Sequence, residues 1–161
     1  MAGTRQDEKA RVFLVIVDDS EEMRVALRFA CRRATHTGGR VALLYVIPPA
    51  DFGHWMAVDD LIGEEAREKA EEMLHKLSEQ VYENIGTMPV VHIREGVPRD
   101  ELLALIDEEP EISVLVLASS PGPKGPGPLI SALTGKLWTK LHVPLTIVPG
   151  TLSDEEVDAL T

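Results

Sequence analysis

Residues 11–20 read Arg11-Val12-Phe13-Leu14-Val15-Ile16-Val17-Asp18-Asp19-Ser20, an almost unbroken apolar run that ends abruptly in two carboxylates and a hydroxyl. A strand with one wet face alternates apolar and polar residues. A run without alternation fits a strand covered on both faces, as in a parallel sheet between layers of helices. The signal recurs at Val41–Ile47 (VALLYVI), Val90–Ile93 (VVHI), Ile112–Leu117 (ISVLVL) and Val143–Val148 (VPLTIV). All five are therefore read as buried strands.

Helical patterns separate them. Ser20 is the expected N-cap of the first, with Glu21 and Glu22 in a first turn that favours acids and Met23, Ala26, Leu27, Ala30 and Ala34 on its inner face. Gly38-Gly39 is its stop. Ala66, Ala70, Met73, Leu74, Leu77 and Val81 form the clearest stripe. Pro98 opens a third helix carrying Leu102, Leu103, Leu105 and Ile106, and Ile130, Leu133, Leu137 and Leu141 mark a fourth. Alternating strands and helices imply an α/β fold with a doubly wound parallel sheet, right-handed crossovers and helices on both faces. The stretch Pro48–Ile62 is long for a connection and reads as a loop, either packed on its own apolar residues, the preferred reading, or closing on a ligand through Phe52, Trp55 and Met56. The chain divides into a polar N-terminal extension (1–10), one α/β domain (11–149) and an acidic tail (150–161). Within the tail, Ser153-Asp154-Glu155-Glu156 has the form of a capping box, so a short helix is expected there.

Composition narrows the function. The 161 residues carry a formal net charge of −11, which repels nucleic acids and anionic membranes. No apolar stretch approaches the ~20 residues of a membrane span, and residues 1–11 have no signal-peptide core, so a cytoplasmic protein is expected. The single cysteine, Cys31, rules out an internal disulfide and a cysteine-built metal site. It falls in the first helical pattern and reads as a small buried hydrophobe. The five histidines are scattered, Ser119-Ser120 lacks the glycine frame of a hydrolase elbow, and no nucleophile–base–orienter set is visible. Asp18-Asp19 could hold Mg²⁺ beside a nucleotide, although Asp19 also reads as a residue leading into the helix.

Asp18-Asp19-Ser20 after strand one, Tyr45-Val46-Ile47 at the end of strand two, and Leu137–Val148 (LWTKLHVPLTIV) as a last helix running into a proline-led strand together resemble the universal stress protein (UspA-like) family. The resemblance spans about Arg11 to Pro149. It implies a five-stranded sheet ordered 3-2-1-4-5 of the adenine-nucleotide alpha-hydrolase-like type, whose order reverses between strands one and four. Open α/β sheets bind ligands at such a reversal, beyond the carboxyl ends of the strands. It further implies that Asp18 and Val46 hold the adenosine side of a nucleotide. The loop after strand four would face the phosphates, through Ala118, Ser119, Ser120, Gly122, Lys124, Gly125, Gly127 and Ser131. ATP or AMP would be the ligand, with Mg²⁺ accompanying ATP. The family also implies a homodimer through strand five, with Val143, Leu145 and Ile147 at the contact.

The phosphate loop departs from the family pattern of glycine, two residues, glycine, nine residues, glycine, then serine or threonine. Ungapped alignment places Ala118, Pro121, Ser131 and Ala132 at those positions. A shifted register uses Gly122, Gly125 and Gly135, but ends on Lys136. The ungapped register fits both flanks and is preferred. Phosphates are cradled by backbone N–H groups, and Pro121, Pro123, Pro126 and Pro128 have none. The glycines, the serines and the Lys124 charge speak the other way. Three readings follow: a stress-response protein binding an adenine nucleotide with at most weak ATPase activity; a dimeric interaction module for a protein partner, without nucleotide; and a nucleotide-activating enzyme on a related fold. The first is preferred, and the missing catalytic set counts against the third.

Overall fold

The computed structural model describes residues 10–49 and 56–161, with the side chains of 56–62 left aside. The strands are β1 (Val12–Val17), β2 (Arg40–Ile47), β3 (Val90–Glu95), β4 (Ile112–Ser119) and β5 (Leu145–Pro149). The helices are α1 (Met23–Thr37), α2 (Met56–Ile85), α3 (Pro98–Glu108), α4 (Pro128–Thr134) and α5 (Asp154–Leu160), with a single 3₁₀ turn at Trp138–Lys140. All four strand pairings are parallel, and the sheet runs β3-β2-β1-β4-β5 as expected.

Strand alternation sorts the apolar residues into two cores. Phe13, Val15 and Val17 of β1 meet α1, α2 and α5 on one face, through residues such as Ala30, Leu74 and Val157. Val12, Leu14 and Ile16 meet α3 and α4 on the other, through Leu102, Leu105, Ile130 and Leu133. One step in β4 breaks the alternation. Val12 pairs with Ile112 but Phe13 with Val114, so Ser113 is an extra residue, and its hydroxyl accepts the Val12 N–H at 3.1 Å. This bulge lets Ile112, Leu115 and Leu117 share a face.

Several expectations need correction. β1 is buried along its whole length, but β3 and β5 are not, because they are the two edges of the sheet. An apolar run reads alike at the centre and at the edge. Ser20 does not cap α1: its N–H and hydroxyl turn back to Asp18, and Glu22 takes the N-cap position with no side-chain cap. The fourth helix ends at Thr134, with Gly135 at its C-cap. Leu137 and Leu141 still pack on the second core, but from the 3₁₀ turn and its flank. The connection from Pro48 to Ile62 is shorter than read, since α2 already begins at Met56. Phe52 and Trp55 lie outside the described residues, as does the Met56 side chain.

The helix expected near the C-terminus is α5, and its capping box is complete: Glu156 N–H donates to Ser153 Oγ, and Ser153 N–H to Glu156 Oε1, both at 3.2 Å. Val157 is fully buried in the first core. Arg28 on α1 donates two hydrogen bonds to Asp158, at 2.9 and 2.7 Å, and lies 3.6 Å from Asp154.

Candidate functional site

The strand order reverses between β1 and β4, and a crevice of ≈ 120 Å³ opens at their C-terminal ends. One wall is the start of α1 (Glu22, Met23 and Ala26), with Asp18 and Ser20 from the turn before it. Ala118 at the end of β4 and the segment Pro126–Ile130 form the other wall, and Ile16 and Val116 lie on the strands behind. Ordinary ligand pockets enclose roughly 300–1,000 Å³. The crevice is smaller than these and open to solvent.

Asp18 follows the last residue of β1 directly and is exposed. Its Oδ1 accepts the Ser20 N–H at 2.9 Å, and the Ser20 hydroxyl also donates to it. Both bonds use the same oxygen, so Oδ2 is the one open to a ligand donor. Asp19 points its charge elsewhere, with Oδ2 at 3.7 Å from Lys69 Nζ on α2. Val46 is buried in the second core near the end of β2, and the pairing of Val17 with Tyr45 brings it level with Asp18. What Val46 can offer a ligand is thus backbone rather than side chain.

The loop after β4 closes on itself through one of its N–H groups. Ser120 N–H donates to the Pro126 carbonyl at 2.8 Å, closing the turn, and Ser131 N–H, inside α4, donates to the Gly127 carbonyl at 3.0 Å as a bond of that helix. Gly125 and Gly127 hold φ values of 99° and 118°, which side chains resist. Of the ten residues singled out from sequence, Asp18, Ala118 and Gly127 line the crevice. Val46, Ser119, Ser120, Gly122, Lys124, Gly125 and Ser131 do not. Gly135, the last glycine of the shifted register, sits at the far end of α4.

Sequence reasoning missed the α1 wall. Glu22 was read as an acid favouring the helix dipole, yet it borders the crevice. The strand-order reversal was the available signal, since it sets the start of α1 opposite the loop after β4. Gly150, just past β5, locks the same corner. A side chain there would meet the Ser119 carbonyl oxygen at 2.1 Å and Glu22 Cβ at 2.8 Å. Among the described residues, no group of three or more His, Cys, Asp or Glu side chains could hold a metal ion. Nor is any helix among them long and apolar enough to cross a membrane.

Fold and crevice together define an open α/β protein with a crevice at its strand-order reversal. The universal stress protein family model matches residues 9–149, and the chain belongs to that family. Universal stress protein UspA from Lactobacillus plantarum has the same fold, with a TM-score of 0.73 and 19% identity over 87% of this chain and 98% of its own. A universal stress protein in complex with cAMP is similar at a TM-score of 0.60 and 14% identity, over 89% and 99% of the two chains. That from Archaeoglobus fulgidus in complex with dAMP gives 0.57 and 16%, over 86% and 97%. Such identities carry the fold alone. No curated protein matches the chain.

Proposed function

We propose that this chain is a stress-response regulator that binds an adenine nucleotide at the β1/β4 crevice, gripping the adenosine side and holding phosphate loosely. The observation that supports it most is Asp18, placed at the reversal with Oδ2 free to accept from a ribose hydroxyl or an exocyclic amine. The solved relatives with cAMP and dAMP carry an adenine group, in keeping with this reading. The four prolines between Pro121 and Pro128 leave the loop few phosphate donors. ATP would carry its Mg²⁺ on its own phosphates, because of the aspartate pair only Asp18 borders the crevice. Binding, with at most weak ATP turnover, is the expected role. The protein works as a cytoplasmic homodimer through β5.

Titration calorimetry with ATP, ADP and AMP tests the reading. Asp18→Ala should weaken each by on the order of 1–3 kcal/mol, the range for losing a charged hydrogen-bond acceptor. A hundredfold gain of ATP over AMP, about 2.7 kcal/mol, would show instead that the loop grips phosphate. The small crevice also favours a second reading, an interaction module for a protein partner without nucleotide. Absence of binding at millimolar nucleotide would select it.

A further inference from the structure

The geometry points to Glu22 as a specificity residue that turns the crevice against phosphate and toward an uncharged nucleoside. The inference rests on the adenine-binding reading above and names the ligand class within it.

Two carboxylates, Asp18 and Glu22, border the crevice, and among the described residues lining it there is no lysine, arginine or histidine. Arg24, Lys69 and Lys124 all lie outside the lining. Lys69 sits 3.7 Å from Asp19, and Lys124 is exposed on the loop outside the lining. The part of the wall best suited to an anion is the start of α1, a helix of 15 residues whose positive end faces the site. Glu22 stands at that end. Its carbonyl accepts the Val25 and Ala26 N–H groups at 3.0 and 3.2 Å, and its side chain makes no cap. Gly150 lies close beside Glu22 Cβ, at the root of that side chain. An incoming phosphate thus meets a negative side chain beside the uncapped N–H groups of the first turn. A nucleoside meets only Asp18, which accepts its donors.

Calorimetry of the full chain with adenosine, AMP and ATP, in magnesium-free buffer at low and physiological salt, tests this. Adenosine should bind about three- to tenfold tighter than AMP, as expected for one like-charge repulsion in a solvent-open cleft. The gap should narrow with salt. Glu22→Gln should shrink the adenosine-to-AMP ratio toward one. A structural lesion would weaken all three ligands alike and leave the ratio unchanged. Glu22→Ala serves as a second variant, and thermal melts confirm that both fold. The inference is overturned if AMP equals or exceeds adenosine in the wild type, or if both variants keep the ratio. If none of the three binds at millimolar concentration, the adenine-binding reading falls and takes this inference with it.

Discussion

Cys31 and Gly150 show how much a single position can fix. Cys31 is buried in the first core, and burial pushes its thiol up to about 11, with Arg28 pulling weakly the other way. The thiolate is the reactive form, so native protein should label slowly with a thiol reagent and quickly in denaturant. Fast native labelling would place the thiol at the surface and reopen a redox role. Gly150 is fixed by contact rather than by charge. The atom that a side chain would strike is the Ser119 carbonyl oxygen, which belongs to the backbone of β4 and cannot rotate aside. Gly150→Ala should cost about 1–3 kcal/mol or more, the range for overpacking, and should disturb the crevice through Glu22. Urea denaturation together with ligand titration would register both effects, and an unchanged midpoint would contradict the packing argument.

At the scale of elements, α5 is tied to α1 by one buried valine and a set of ion pairs. Arg28 holds the Asp158 carboxyl below its usual range, chiefly through hydrogen bonding. A carboxylate depressed in the folded state stabilises it at pH above the unfolded value, and the benefit fades as pH falls through the folded value. The urea midpoint of the wild type should therefore exceed that of Asp158→Asn by a constant margin near neutrality. That margin should shrink below about pH 4. A margin unchanged at low pH would mean that the contact acts through shape alone. Legibility followed the same divide between local and distant causes. The capping box at Ser153 and the glycine stop at Gly38 were readable, because all their partners lie within a few residues. Ser20 was misread because its hydroxyl had two local partners to choose from, and Asp18 won. Leu137 and Leu141 kept the period of a helix while Gly135 ended it, so the pattern marked a buried side rather than an element. Asp18 was visible as the end of a strand, and Ala118 came from the family resemblance. The place of Glu22 beside them depends on Gly150 and β4, more than ninety residues away, and no local pattern reports that.

Across the whole molecule, both sheet edges leave an apolar residue open, Val91 on β3 and Ile147 on β5. On β5, Val148 is buried in its own core and cannot serve a partner, whereas Ile147 is 42% exposed and Leu145 is half-buried. Val143 lies just before the strand. Trp138, 67% exposed, adds apolar surface from the 3₁₀ turn. An apolar edge of this kind seeks a partner. Light scattering at micromolar concentration should give twice the chain mass, and Ile147→Asp should return the monomer; a wild-type monomer would end the dimer reading. The sheet order has a further consequence, felt during synthesis. β1 leaves the ribosome early and finds β2 within a few dozen residues, but its other neighbour is β4, where Val12 pairs with Ile112. At elongation rates of about 5–20 residues per second, that flank of the most apolar strand stays without its neighbour for roughly 5–20 s. The nascent chain is then a sticky half-sheet and a natural client for chaperones. Slowing translation between the β2 and β4 codons should raise the aggregated fraction while leaving the stability of purified protein untouched.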